Sequence, residues 1–152
     1  MEKVLKHEQN LQYIIHLGDE HDDIDYFPEF TKNINIITVP GLYHRDYHNP
    51  RIPNNLTFTI DNWKFNIAHT PKELNKSDIT VNFYMHGHTH EPFIVEEDNH
   101  YLLNPGHLKA PLDRGFEASY LIMELNFNSV LLTDYLLNGI VNYQLEVQRN
   151  VQ

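Results

Sequence analysis

His86-Gly87-His88-Thr89-His90 sets three imidazoles at every second position, with a glycine between the first two. Imidazole nitrogens are good ligands for transition-metal ions. The run follows an apolar, strand-like segment, Ile79 to Met85 (ITVNFYM). On an extended strand alternate side chains share a face, so the three rings would converge there. In a turn after the strand, the glycine would let the backbone fold tightly and the rings could reach different ions. A chance polar tract at the surface is the plainer alternative, but such tracts rarely sit at the end of a buried strand. The metal reading is preferred.

Composition restricts the other donors. There is no cysteine, which removes disulfides, thiolate zinc sites and a thiol nucleophile. Any metal must be held by His, carboxylate and amide groups, which suits manganese, iron, zinc, nickel or magnesium. The formal net charge of −10 repels a polyanion from most of the surface and excludes nucleic acid as a stable partner. No apolar run approaches the roughly 20 residues of a membrane span, and the first residues do not form a signal peptide. The expected compartment is the cytoplasm. The 152 residues, 41% of them hydrophobic, suit a single domain with its own core.

The elements that would position these donors can be read along the chain. Met1 to Gln12 has Val4, Leu5 and Leu11 at helical spacing among charges. Tyr13 to Leu17 is a short apolar run that stops at Gly18-Asp19, and Asn33 to Val39 is another, closed by Pro40-Gly41. With a short helix over Asp22 to Lys32 between them, the order predicts parallel strands joined by a right-handed crossover. Leu56 to Ile60 and Trp63 to Ala68 flank Asp61-Asn62 and read as a β-hairpin. Ile79 to Met85 is a further strand. Phe93–Glu96, His100–Leu103, Ser119–Leu125 and Val130–Leu137 resemble an antiparallel meander. Two sheets packed face to face, with helices outside, would satisfy this order.

Four polar motifs follow apolar strands and could meet at one edge of the sheets. They are Gly18-Asp19, Pro40-Gly41-Leu42-Tyr43-His44, Ala68-His69-Thr70-Pro71 and Gly87-His88-Thr89-His90. One carboxylate plus three imidazoles is a sensible ligand set for one or two transition-metal ions. A carboxylate can bridge two ions with its two oxygens, which an imidazole cannot do.

The order of motifs resembles the calcineurin-like metallophosphoesterase superfamily, in particular its YfcE- and Vps29-type branch. Gly18-Asp19, His69, Gly87-His88-Thr89-His90 and Asn104-Pro105-Gly106 match the family pattern, and Asp113 to Tyr120 resembles its closing hairpin. The resemblance spans Met1 to about Leu137. It implies an α/β fold, an α/β/β/α sandwich of two mixed sheets. It also implies metal ligation by Asp19, His69, His88 and His90, with Asp19 bridging two divalent ions (Mn, Ni, Zn or Fe). His69 and His88 would serve one ion and His90 the other. The reaction implied is hydrolysis of a small-molecule phosphate ester, most simply a phosphodiester, by a two-metal mechanism. A homo-oligomer is compatible with this reading.

Two departures qualify it. The family's Asp-x-His motif is absent, and the chain starts within the helix that should follow it, so the expectation is a domain over 1–152 lacking its first strand. That leaves His69, His88 and Asp19 for one ion but only Asp19 and His90 for the other, and the chain as given is expected to hold at most one ion well. Leu42 stands where the family has an Asn ligand, and leucine cannot coordinate a metal. Tyr43, His44, Asp46 or His48 could substitute as ligand or protonate the leaving group; His44 is taken as the catalytic candidate. His16, His21, His100 and His107 read as structural or surface residues, His21 being close enough to Asp19 to support it. The alternative function is a catalytically weak, Vps29-like protein-binding scaffold, favoured by Leu42 and opposed by the retained imidazoles. Metal storage is disfavoured, because a clasp at strand ends is too closed for easy exchange.

Overall fold

The computed structural model describes residues 1–149. Helix α1 (Glu2–His7) buries Val4 and Leu5 and joins Lys6 to Glu2 one turn away. The sequence predicts a helix as far as Gln12, but Glu8 is already extended and Asn10 has φ 70°. Glu8, Gln9 and Asn10 add no apolar face that packing could hold in a further turn. Strand β1 (Tyr13–His16) is followed by a 3₁₀ turn at Asp23–Tyr26 and the one-turn α2 (Pro28–Thr31). The single helix expected over Asp22 to Lys32 is split at Pro28, because proline disfavours a helical residue before it and starts a new turn instead. Strand β2 (Asn35–Thr38) pairs parallel with β1, from Tyr13 opposite Asn35 to His16 opposite Thr38. The parallel pairing matches the sequence reading.

The central layer follows from alternation. β3 (Asn55–Ile60) and β4 (Trp63–Ala68) form the expected hairpin, with Asp61 and Asn62 at φ 48° and 69°, as a type I′ turn requires. β5 (Phe83–His86) runs parallel to β4; β6 (Phe93–Glu97) and β7 (His100–Asn104) form a second hairpin, and β7 is parallel to β5. The resulting five-stranded mixed sheet has the order β3-β4-β5-β7-β6. β5 is shorter than expected because Ile79 to Asn82 is not strand: the Asp78 side chain accepts from the Thr80 amide and hydroxyl, a local turn competing with the ladder.

Five further strands follow: the two-residue β8 (Leu112–Asp113) and β9 (Phe116–Glu117), and an antiparallel sheet of β10 (Ser119–Leu125), β11 (Ser129–Leu136) and β12 (Val141–Gln148). The four-strand meander read from the sequence is therefore two structures. β6 and β7 belong to the central sheet, while β10 and β11 acquire β12 as a third strand. β12 lies beyond the meander read from the sequence, although VNYQLEVQ alternates apolar and polar residues as a strand does; only its Val147 is buried.

Trp63, Phe65 and Ile67 of β4, Phe83 and Met85 of β5 and Leu103 of β7 form one core with Leu17 and Val39, which follow β1 and β2, and with Val130, Leu132 and Val147. The β1–β2 pair and the β10–β12 sheet thus share the same apolar cluster against the central sheet. The opposite face carries Ala68 and Tyr84, packed with Leu74 and Val81 of the covering segment. The α/β class and the face-to-face sheets agree with the sequence, with fewer and shorter helices than expected. No helix among the described residues is long and apolar enough to cross a membrane.

Candidate functional site

Parallel strands β1, β2, β4 and β5 lead into the loops that carry Asp19, His44, His69 and His88 to His90, and β7 ends at Asn104, the usual location of sites in α/β sheets. Close packing brings these loops together. Gly18, at φ 110°, lies so near His69 that a Cβ there would fall 2.2 Å from its Nδ1. The Asn104 amide binds the Gly87 carbonyl at 3.1 Å and the Thr89 hydroxyl at 2.8 Å, tying β7 to the His88 turn. Asp19, His88 and His90 have φ 55°, 62° and 65°. Left-handed backbone costs a non-glycine residue about 1–2 kcal/mol and persists where the surroundings impose it.

The four residues expected as ligands are brought into one connected row. His69 is fully buried, and its Nδ1–H donates to the Leu17 carbonyl at 2.7 Å, leaving a lone pair on Nε2. That nitrogen lies 3.1 Å from His88 Nδ1 and 3.6 Å from Asp19 Oδ1. On the other side, His90 Nε2 lies 3.0 Å from Asp19 Oδ2, while His90 Nδ1 faces the Asp113 carboxylate. With Nδ1–H donated to Asp113, Nε2 also presents a lone pair to Asp19. The two oxygens of Asp19 therefore face the unprotonated nitrogens of two different imidazoles.

Acceptors facing acceptors need a cation between them, either a proton or a metal ion. A four-coordinate zinc-class ion with bonds of about 2.0–2.2 Å holds its ligands about 3.3–3.6 Å apart. The separations between neighbours along the row are close to that, and the donor types suit such an ion, although no three of the row's donor atoms lie within 4.8 Å of one another in this arrangement. Burial, then the neighbouring His69 and Arg114, pushes the His88 pKa below the ordinary 6.5, which favours the neutral ring a metal requires. The hydrogen bond from His90 holds the Asp113 carboxyl below its usual range, as a carboxylate orienting a ligand imidazole should be.

Three neighbours were given no site role by the sequence, although Asp113 and Arg114 fall in the segment that resembles the family's closing hairpin. Asp113 orients His90, and Arg114 in the β8–β9 turn donates to the His88 carbonyl at 2.6 Å while its side chain stays half exposed. A turn dipeptide carries no signal of this; only the docking of the hairpin does. His107, read as structural, stacks near His90 with ring centroids 5.1 Å apart and donates through Nε2 to the Phe116 carbonyl. Its buried Nδ1 has no partner among the described residues. His86 is buried beside Phe93, faces the Gly87 carbonyl at 2.9 Å and makes no hydrogen bond to the four; burial lowers its pKa. His16 and His100 take structural positions, His16 accepting from the Gly18 amide and His100 donating to the Val81 carbonyl.

His44 lies apart from the row. Its ring sits 3.4 Å from Asp22 and edge-on to His21, with the side chain 8% exposed. An imidazole so enclosed, with both nitrogens engaged, is poorly placed to protonate a leaving group by direct contact. The role of ligand, left open for it by the sequence, suits its surroundings better.

Fold and site together define a mixed α/β protein with an imidazole–carboxylate row at the carboxyl edge of its parallel strands. The family model of the calcineurin-like phosphoesterase superfamily domain matches residues 1–128, and the chain belongs to that superfamily. Among solved structures it is similar to YfcE, a phosphoesterase from E. coli (20% identity, TM-score 0.69, covering 98% of this chain and 91% of that one). It is also similar to wild-type Vps29 from Entamoeba histolytica complexed with zinc (19% identity, TM-score 0.68, 98% and 87% covered). A third similar structure is Chaetomium thermophilum Vps29 complexed with a cyclic peptide (17% identity, TM-score 0.69, 99% and 89% covered). Among curated proteins none matches the sequence significantly.

Proposed function

We propose that the chain hydrolyses small phosphate esters, most simply phosphodiesters, with divalent metal held by Asp19, His69, His88 and His90. The observation that carries this reading is the presentation of the two Asp19 oxygens to the unprotonated nitrogens of His69 and His90. Metal bound there would supply Lewis-acid neutralisation of phosphoryl charge and acidify water at neutral pH. The protein's own part is orientation. The Leu17 carbonyl fixes the His69 tautomer, Asp113 fixes that of His90, and burial keeps His88 neutral. Arg114, half exposed beside His88, offers a guanidinium to a phosphate oxygen against the acidic background of the chain. The net charge of −10 favours a small substrate over a polyanion. The reading belongs in the cytoplasm.

A second reading, a catalytically weak scaffold that binds protein, is favoured by Leu42, which supplies no donor where the family has an amide. Hydrolysis of bis-p-nitrophenyl phosphate with manganese separates the two. The enzyme reading expects turnover above the metal-only background, abolished in His69→Ala and Asp19→Asn. No turnover in the wild type would leave the scaffold, and equal turnover in His69→Ala would refute the ligand assignment.

A further inference from the structure

His21, His44 and Asp46 form a second cluster that shares no residue with the Asp19 row. Their donor atoms all lie within 4.8 Å of one another. His21 Nε2 is 3.2 Å from Asp46 Oδ2, and His44 Nδ1 is 3.7 Å from the same oxygen. These separations are long for charge-assisted hydrogen bonds, which favour about 2.7–2.9 Å. They bracket the roughly 3.3–3.6 Å edge of a tetrahedral site with bonds of about 2.0–2.2 Å.

The outer nitrogens are already occupied. His21 Nδ1 faces the Thr38 hydroxyl at 3.3 Å, and His44 Nε2 faces the Asp22 carboxylate at 3.4 Å. Metal-binding histidines use such partners to fix the tautomer and ring plane. The Asp46 amide donates to His44 Nδ1 at 3.2 Å, so that nitrogen is unprotonated, and its single lone pair must pass from the amide to the ion on binding. Both imidazole side chains are about nine-tenths buried, and their rings meet at 75° with centroids 4.5 Å apart. The surroundings are anionic. Asp19, Glu20, Asp22, Asp23 and Asp25 lie in one short stretch, and among the described residues their basic partners within 4 Å are histidines alone. Arg45 reaches Asp46 only at 3.9 Å, with its side chain 83% exposed.

We propose that His21, His44 and Asp46 bind a zinc-class divalent ion, separate from the Asp19 row, which ties the loop of residues 41–48 to the loop of residues 18–25. Two imidazoles and one carboxylate favour zinc, cobalt or nickel over magnesium or calcium. The remaining positions go to water, with Asp22 holding His44 from outside. This ion adds an equivalent to the single one expected from the family motifs, and it does not depend on the phosphoesterase reading.

Metal-stripped full-length protein is titrated with zinc chloride, following heat, bound equivalents and melting temperature. The wild type binds one equivalent more than His21→Ala and Asp46→Asn, and its zinc-induced rise in melting temperature is larger. His69→Ala keeps that equivalent and loses a different one, so failure at one cluster is distinguishable from failure at the other. Wild-type stoichiometry and affinity in both His21→Ala and Asp46→Asn overturn the proposal. Should those variants lose native circular dichroism, the wild type decides by long-range ¹H–¹⁵N spectra. Zinc moves the His21 Nε2 and His44 Nδ1 resonances if the site exists, and unchanged resonances overturn it.

Discussion

Gly18→Ala tests the contact on which the His69 side of the imidazole–carboxylate row depends. A Cβ at Gly18 would lie 2.2 Å from His69 Nδ1, 2.7 Å from its Cγ and 3.0 Å from its Cβ. His69 has no room to retreat: it is fully buried, bonded to the Leu17 carbonyl at 2.7 Å and set against His88 at 3.1 Å. The backbone at φ 110° adds left-handed strain of about 1–2 kcal/mol. Overpacking a buried site costs about 1–3 kcal/mol more. The sum is about 2–5 kcal/mol, and less the roughly 0.4–1 kcal/mol gained by restricting the unfolded chain it lowers the melting temperature by about 2–18 °C for a domain of this size. Gly115→Ala is the control, since φ there is 91° and nothing lies within 4 Å of the added Cβ. It carries the strain without the clash. Restricting the unfolded chain favours both variants by about 0.4–1 kcal/mol and cancels between them. Thermal and urea denaturation of both variants measure the difference, and zinc titration asks whether His69 was displaced. A Gly18→Ala protein that melts within about 2 °C of Gly115→Ala would refute the packing argument.

Two further outcomes are expected. Asp113→Asn keeps an acceptor for His90 Nδ1–H but removes the negative charge, so zinc affinity at the Asp19 row falls by about 10- to 100-fold while the fold persists; unchanged affinity by calorimetry would refute the orienting role. Burial raises the pKa of Asp134, whose Oδ1 has no partner among the described residues while Oδ2 accepts from Asn142. Its folded pKa lies above the unfolded one, so its contribution is most favourable at low pH and is lost as pH rises through the folded pKa. Asp134→Asn therefore gains stability over the wild type at pH 8, and the gain shrinks toward pH 4; a margin independent of pH in urea melts would sink the assignment.

Much of the site was legible because metal chemistry restricts residue type and because strands end abruptly. Asp19, His69, His88 and His90 each follow an apolar run, and those runs became β1, β4 and β5. The hairpin turn at Asp61-Asn62 was equally legible, since a short-range turn is set by local backbone preference. The split helix at Pro28 shows the limit of apolar spacing read without attention to proline. The placement of β6 and β7 was not legible, because strand pairing is a long-range choice that alternation alone does not specify.

By itself the sequence determined the candidate donors: without cysteine, the imidazoles and carboxylates at strand ends are the groups left that could hold a transition-metal ion. Tertiary structure decided what each donor faces. It set Asp113 behind His90, gave Asp19 one imidazole for each oxygen, and placed His44 in a cluster with His21 and Asp46. The physical reason is that ligation and proton transfer depend on separations of a few tenths of an ångström and on which ring nitrogen is already bonded. Those quantities arise where loops distant in sequence pack together, and no local pattern encodes them.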